Sequence, residues 1–286
     1  VEIYPYLMIS ANVILILSLP FLLRLLTILL SRNTYVIGFE SDFYRCITHI
    51  LLVDLLYALI TIFAVEPATY GVLREFYVAN AAWISKIVIF QSSPLCILSI
   101  YFHALIALNR LTAMVVPLRH KLIWTPCLLR FLHFGGWFAA VFFSLPMIWP
   151  IQGSFTLIKS PFGAPGLSFV ILGRIENIAY QAIPVSTGII LELVILIAYC
   201  IIVCKVRKYE NLSSVVIRTT IASVLMCISG CFITLLNGAA SFYGHVYGGD
   251  LFPIEVYYAV FKIGFAVNGS VTSWITILLC RDVSEK

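Results

Sequence analysis

Long uninterrupted apolar runs are the feature of this sequence that most limits its fold. A bilayer core of ~30 Å takes ~20 apolar residues per helix, and lipid obliges each helix to satisfy its own backbone hydrogen bonds. Runs bounded by charges, Gly and Pro predict seven spans, at about 6–30, 43–65, 82–108, 127–149, 178–204, 215–242 and 254–279. They are too long and continuous for the strands of a barrel. We therefore predict one all-α domain over residues 1–286, a seven-transmembrane helix bundle.

The basic residues predict the orientation of this bundle. Of the 18 Lys and Arg residues, thirteen fall on one predicted side of the membrane and five on the other. Because Lys and Arg are enriched in cytosolic loops, the N-terminus is expected outside and the C-terminus inside. The net charge of +5 comes from the ends of apolar runs and no nucleic-acid motif accompanies it, so we expect membrane lipid as a partner and no nucleic acid. The Gly- and Pro-containing connection at 151–177 is expected to be an irregular outer loop.

The eight cysteines give no sign of a disulfide framework. All of them fall within predicted spans or at their inner ends, and none lies in an outer loop. The pairs Cys200/Cys204 and Cys227/Cys231 are helical neighbours without His or carboxylate companions. We expect neither an extracellular disulfide nor a metal site.

Ionisable side chains inside the apolar helices are candidate functional residues, because burial in lipid is costly for each of them. Asp54 lies nine residues from Arg45, or ~13 Å at the rise of a helix, in the inner half of the second span. It is either a sodium or proton site tied to a conformational switch, or an acid that specifies helix packing. Glu192 lies near the middle of the fifth span and Lys262 in the outer third of the seventh, where they either pair or face a water-filled cavity.

The inner end of the third span carries a second candidate region, from Leu108 to Trp124. It contains Asn109, Arg110, His120 and Lys121. The guanidinium of an arginine at this place can bond neighbouring helices in a closed state and be released to a partner in an open one. The alternative is an ordinary basic anchor on the cytosolic side.

The block from Asn109 to Trp124, with Ser41–Arg45 and Asp54 in the second span, resembles the nematode serpentine chemoreceptors of the Srg superfamily, particularly the Srg and Srv classes. Those are divergent rhodopsin-like G-protein-coupled receptors. The resemblance implies a pocket for a small-molecule ligand in the outer half of the bundle and a docking face for a heterotrimeric G protein at the inner end. It also implies a place in the plasma membrane, in the sensory cilia of chemosensory neurons.

Residue by residue, Arg110 matches the arginine of the rhodopsin-like Asp-Arg-Tyr motif, in which Asn109 replaces the acid. Asp54 matches the acid of helix 2, and Asn268 matches the asparagine of the Asn-Pro-x-x-Tyr motif. The Cys-Trp-x-Pro motif of helix 6 is missing, and Ser85 stands where the family disulfide would begin. The resemblance therefore implies a conformational switch at Asp54 and Asn268 and G-protein coupling at the inner block. The missing motifs imply that the activation contacts differ from the usual rhodopsin-like ones.

Candidate ligand contacts in the outer half are Phe90, Tyr180, Glu192, Tyr258 and Lys262, which describe a mostly apolar cavity with a few polar anchors. Lys262 precedes Asn268 by six residues, the spacing at which opsins carry the lysine that binds retinal as a Schiff base. Such a lysine needs an acid as counterion, and the corresponding region of the third span offers Lys86 and Val88 instead. Retinal on Lys262 is therefore disfavoured, and no cofactor is expected.

Together these features predict a chemosensory G-protein-coupled receptor. The alternative is an ion-coupled transporter or channel, in which Asp54, Glu192 and Lys262 relay ions. That class usually shows internal repeats with paired broken helices, and no such similarity is evident between the two halves of this chain. An enzyme is not expected, since the sequence shows no Ser/His/Asp arrangement, metal-ligand cluster or phosphate loop.

Overall fold

The computed structural model describes residues 3–30, 42–148, 153–159, 165–171 and 174–206, with single positions and short groups between 221 and 275. In chain order the elements are α1 (Ile3–Leu30), α2 (Asp42–Ile60), a first π-helical turn (Thr61–Val65), α3 (Glu66–Thr69), α4 (Arg74–Ala79), α5 (Ala81–Phe90), a second π-helical turn (Gln91–Leu95), α6 (Cys96–Val115), α7 (Pro117–Ile123), α8 (Pro126–Ile148), β1 (Gly153–Lys159), β2 (Pro165–Ile171) and α9 (Arg174–Val206).

Several helices of the described chain are long and apolar enough to cross a bilayer. Four such segments occur there, at Tyr6–Leu30, Tyr44–Thr69, Cys96–Val115 and Ser186–Lys205. Ala81–Phe90 and Pro126–Phe142 are shorter apolar helices. The second span consists of α2, the first π turn and α3, and the third consists of α5, the second π turn and α6. Below, outer and inner denote the two ends of the bundle in the orientation that the basic residues predict.

The expectation of an irregular loop at 151–177 is wrong for the part that the structure describes, which is a β-hairpin. Strands β1 and β2 pair antiparallel, with Phe155 opposite Phe169 and Leu157 opposite Leu167. Leu167 is buried in a small cluster with Tyr77 of α4. The Gly and Pro residues around the strands obscured their short alternating pattern, and packing against α4 and α5 gives the hairpin the support that an isolated hairpin lacks.

The main core joins α1, α2, α6 and α8. Leu25, Ile47 and Phe102 are among its fully buried side chains. His49 stacks on Phe102 and receives a hydrogen bond from the indole N–H of Trp137 at 3.2 Å. These two ring nitrogens are thus paired between spans, as a membrane interior favours.

The two π turns lie side by side in the outer halves of the second and third spans. The amide of Gln91 donates to the hydroxyl of Thr61 and, at 3.1 Å, to the carbonyl of Tyr57. Each π turn adds one residue to the helix, which rotates everything beyond it by ~100° relative to a continuous α-helix. The side chains beyond the first π turn, starting with Glu66, therefore face a different direction from the one that a regular helix would give them.

Candidate functional site

Four polar side chains meet at the outer ends of the first, second and seventh spans. Lys262 forms an ion pair with Glu66, and their side chains are only 11% and 10% exposed. The amide nitrogen of Asn12 lies 2.6 Å from the other carboxylate oxygen of Glu66 and 2.5 Å from the hydroxyl of Tyr70. The ammonium of Lys262 also lies 6.0 Å from the centre of the Tyr70 ring. We call these residues, Asn12, Glu66, Tyr70 and Lys262, the outer cluster.

Sequence reasoning missed Glu66, because it lies one residue beyond the predicted end of the second span and next to Pro67. The structure shows that the pairing of Lys262 with Glu192, one of the two alternatives that the sequence left open, is wrong, since the acid beside Lys262 is Glu66. Glu66 is thus an acid beside Lys262 that comes from the second span, whereas the sequence offered no acid in the corresponding region of the third span.

Glu192 lies instead near the middle of the bundle, beside the sixth and seventh spans. A Cβ atom built on Gly230 would stand 3.5 Å from a carboxylate oxygen of Glu192 and 3.8 Å from the amide oxygen of Asn268. Both distances are ordinary van der Waals contacts, so these two polar groups approach the same point beside Gly230. This brings together one residue assigned to the ligand pocket and one assigned to the switch.

Asp54 borders a small cavity between the first, second and seventh spans. The cavity has a volume of about 10 Å³, and its lining includes Ser18 and Ser270. The carboxyl of Asp54 is hydrogen-bonded by Thr272, while its Oδ2 atom is buried without a partner among the described residues. The hydroxyl protons of both serines are used on backbone carbonyls, at 2.6 Å for Ser18 and 2.5 Å for Ser270. These oxygens therefore face the cavity as hydrogen-bond acceptors. Acceptors alone can be satisfied by a cation, by a proton on Asp54 or by a water.

The inner end of α6 is tied to α7 by a single hydroxyl group. Thr112 bonds the carbonyl of Leu108 within α6 at 3.0 Å, and its oxygen lies 3.1 Å from Nδ1 of His120. The indole N–H of Trp124 donates to the same oxygen at 2.6 Å. His120, expected at the coupling surface, is thus half-buried against Thr112 and positions α7. Sequence reasoning did not single out Thr112 or Trp124 for this role.

The outward side of α7 is apolar and basic. Leu118 is 94% exposed and Leu122 75%, and between them Arg119 and Lys121 are also exposed. Arg110 is half-buried near the inner end of α6. Of the residues assigned to coupling, Lys121 lies on the exposed surface and Arg110 is half-buried.

Asn109, which replaces the acid of the rhodopsin-like motif, is 3% exposed. Its amide nitrogen has no hydrogen-bond partner among the described residues. A neutral amide cannot form the ion pair that an acid at this place would make with Arg110. Asn109 therefore lies inside the bundle and not on the exposed surface where coupling was expected.

The remaining expectations fall on core or undescribed positions. Phe90 is half-buried and packs against the main core at the start of the second π turn. The side chain of Tyr180 and the whole of Tyr258 lie outside the described residues. In the part of the chain that the structure covers, no group of three or more His, Cys, Asp or Glu side chains is placed to hold a metal ion. Five cysteines of the described chain form no disulfide there: Cys46, Cys96, Cys127, Cys200 and Cys204.

Comparison with known families agrees with this architecture. A family model described as serpentine type 7TM GPCR chemoreceptor Srv matches residues 11–243. The match begins within α1, runs through α2 to α9 and ends just beyond the predicted sixth span, so it does not include the described positions of the seventh. A search of curated proteins gives no match.

Proposed function

Because this chain belongs to the Srv family of serpentine seven-transmembrane chemoreceptors, we propose that it binds a small extracellular ligand in the outer half of its bundle and signals to a heterotrimeric G protein. Membership confirms the predicted family resemblance and the seven-helix fold class. It also supports a multi-pass membrane protein from a nematode family. The family is one of receptors, not of enzymes. This proposal places the receptor in the plasma membrane of chemosensory neurons, within their sensory cilia.

The observation that carries G-protein coupling is the exposed side of α7. Burying a leucine side chain is worth about 1.5–3 kcal/mol, and Leu118 leaves almost all of its surface exposed at the predicted cytosolic end. The bonds from Thr112 to His120 and Trp124 hold this short helix in a fixed place. A rigid apolar residue flanked by Arg119 and Lys121 suits an apolar pocket with an acidic rim on a partner protein.

The switch that links ligand to α7 differs from the rhodopsin-like pattern. Since Asn109 cannot hold Arg110 by an ion pair, we assign the two-state element to the helix 7 contacts. Asn268 approaches the same point as Glu192 beside Gly230, and Thr272 bonds Asp54. A rotation of the seventh span changes both contacts at once. A ligand that binds more tightly to one position of the seventh span raises the population of that position and lowers the population of the other.

For Asp54 we favour a bound sodium ion over a packing role. One carboxylate oxygen of Asp54 has no partner among the described residues, and the serine hydroxyls at the same cavity already donate to backbone carbonyls, so a cation, a proton or a water can satisfy it. The carboxylate of Asp54 and the hydroxyls of Ser18 and Ser270 give this otherwise largely apolar lining oxygen ligands, which suit a hard cation such as sodium. Occupancy of this cavity would stabilise one position of the seventh span.

The ligand region comprises the outer cluster together with Glu192 and, by the earlier assignment, Phe90, Tyr180 and Tyr258. Lys262 and Glu66 supply its charged anchors, and apolar residues of the first, second and seventh spans surround them. This arrangement is consistent with a mostly apolar pocket that orients its ligand by a few polar contacts.

The test compares two leucine variants of the purified receptor in lipid nanodiscs with a heterotrimeric G protein. We expect the receptor to accelerate nucleotide exchange, Leu118→Asp to abolish that acceleration, and Leu73→Asp to leave it unchanged. Leu73 is a matched control because it is 65% exposed at the opposite end of the bundle, where its positive φ of 54° suits Asp.

Two results would contradict the proposal. One is equal exchange by wild type and Leu118→Asp. The other is passage of sodium or potassium through receptor in proteoliposomes without any G protein, which would favour a channel or transporter.

A further inference from the structure

We propose that Glu66, Tyr70 and Asn12 form a binding site for an organic ammonium group, and that Lys262 fills this site in the ligand-free receptor. The ligand class would then be small amines that displace Lys262. This inference rests on the proposed function, because it places the ligand at the outer end of the bundle.

The chemistry around Lys262 is that of an ammonium site. One oxygen of Glu66 pairs with the Lys262 ammonium, and the face of Tyr70 lies 6.0 Å away, at the range of a cation–π contact. The second Glu66 oxygen accepts from Asn12 at 2.6 Å. The same amide nitrogen bonds the Tyr70 hydroxyl, so Asn12 fixes the carboxylate and the ring relative to each other. A carboxylate and an aromatic face held by a third residue remain in place when the cation changes.

The two members of the ion pair are not equally held. Glu66 has a short side chain that is anchored by Asn12, and it follows directly after the first π turn. Lys262 sits on a flexible four-carbon stem, and long basic side chains near a membrane surface can carry their charge to the interface. A cationic ligand can therefore send Lys262 outwards and keep Glu66 paired.

An anionic ligand has a less favourable exchange to make. It would take Lys262 and leave a nine-tenths buried Glu66 carboxylate with only the neutral Asn12 beside it. Removing one partner of a buried ion pair is costly, because the other charge stays buried without compensation. The asymmetry favours an amine over a carboxylate ligand.

The surroundings also indicate the body of the ligand. Ile62 and Ile263 pack beside the buried side chains of Ala58 and Ala266, close in sequence to Glu66 and Lys262. A tethered lysine competes at a high effective concentration, so a free amine needs extra contacts to displace it. These neighbours provide apolar contacts, which points to an amine with a small hydrocarbon body.

The first experiment empties the site. In receptor held in nanodiscs, Lys262→Ala removes the ammonium and the three carbons beyond Cβ, which leaves room for the ammonium and most of the chain of n-butylammonium. We expect n-butylammonium to raise the unfolding temperature of Lys262→Ala, and 1-butanol to leave it unchanged. The double variant Lys262→Ala/Glu66→Gln should not respond, whereas Lys262→Ala/Glu75→Gln should, because Glu75 is an exposed acid of the outer loop.

The second experiment uses the wild-type receptor and measures the reactivity of Lys262. Reductive methylation with formaldehyde and a borohydride modifies accessible amines, and N,N-dimethylbutylammonium is inert to it. We expect this cation to increase the methylation rate of Lys262 severalfold, as read by mass spectrometry, with the exposed Lys121 as internal reference.

Two outcomes overturn the inference: no stabilisation of Lys262→Ala by n-butylammonium, or stabilisation by propionate in its place with no change in Lys262 methylation. Neither readout contains a G protein. If ammonium binding fails while Leu118-dependent nucleotide exchange persists, only the ligand class is wrong. If exchange fails while ammonium binding persists, the proposed coupling is wrong and the site stands.

Discussion

The ring of Tyr101 on α6 lies directly over Gly136 on α8. A Cβ atom built on Gly136 would come within 2.9 Å of Cδ1 of Tyr101, closer than real Cβ contacts allow. The ring cannot simply swing away, because its hydroxyl donates to the carbonyl of Leu132, one turn earlier on α8, at 3.0 Å. The third and fourth spans thus approach each other through a bare glycine, as small residues permit in membrane helices.

We expect Gly136→Ala to destabilise the receptor by about 1–3 kcal/mol, the usual cost of overpacking. The neighbouring Gly135→Ala is the matched control, since a Cβ there meets nothing within 4 Å. That variant should be neutral or stabilising by up to ~1 kcal/mol, because alanine is the better helix former. Thermal unfolding in nanodiscs measures both. Equal unfolding temperatures for the two variants would show that Tyr101 does not fix the distance between the helices.

Thr112→Val tests whether the placement of α7 matters for coupling. The change leaves the buried indole N–H of Trp124 unpaired, which costs about 1–3 kcal/mol and releases α7 from α6. Nucleotide exchange on the G protein should fall even though Leu118 is intact. Thr48→Val is the control, because the hydroxyl of Thr48 bonds only the carbonyl of Tyr44 among the described residues. Unchanged exchange by Thr112→Val would remove Thr112 from the coupling mechanism.

Sodium should stabilise the receptor through Asp54. At a sodium concentration tenfold above its dissociation constant, binding to the folded state adds about 1.4 kcal/mol. The unfolding temperature in sodium chloride should therefore exceed that in choline chloride of equal ionic strength, and Asp54→Asn should abolish the difference. Glu75→Gln, which removes an exposed acid, should retain it. A sodium effect of the same size in Asp54→Asn would place the ion elsewhere.

The helices were predictable because a ~20-residue apolar run in lipid has few other ways to satisfy its backbone. The structure accordingly has helices at Tyr6–Leu30, Tyr44–Thr69 and Ser186–Lys205. Asp54 could be singled out for the same reason, since a charge in such a run needs an explanation. These inferences depend on local composition alone, and they hold whatever the neighbouring helices do.

The outer cluster depends on information that local composition does not carry. Glu66 contacts Lys262 because the π turn rotates the end of the second span. No simple residue pattern predicts a π turn. The exposure of Leu118 was hidden for a related reason. In a membrane protein leucines are common everywhere, and only the placement of α7 by Thr112 shows that this one faces away from the bundle.

Pro67 and Tyr77 together explain how the second span tolerates its π turn. In a helix the N–H of residue 67 would bond the carbonyl of Phe63, four residues earlier, but proline has no N–H. The hydroxyl of Tyr77, which is 3% exposed, donates to this carbonyl at 2.8 Å instead. Burial also raises the pKa of the Tyr77 phenol, which favours the neutral form that can donate.

The two residues should therefore be coupled. Tyr77→Phe leaves the Phe63 carbonyl without its donor and should cost about 1–3 kcal/mol. In a Pro67→Ala background the restored backbone N–H can take over that carbonyl, so the same change should cost less, and a double-mutant cycle in thermal unfolding measures the difference. Additive losses would mean that Tyr77 stabilises the outer end by packing alone. With the wild-type residues, this part of the stability should be present below the ordinary phenol pKa near 10 and be lost as the pH rises through the raised pKa of Tyr77.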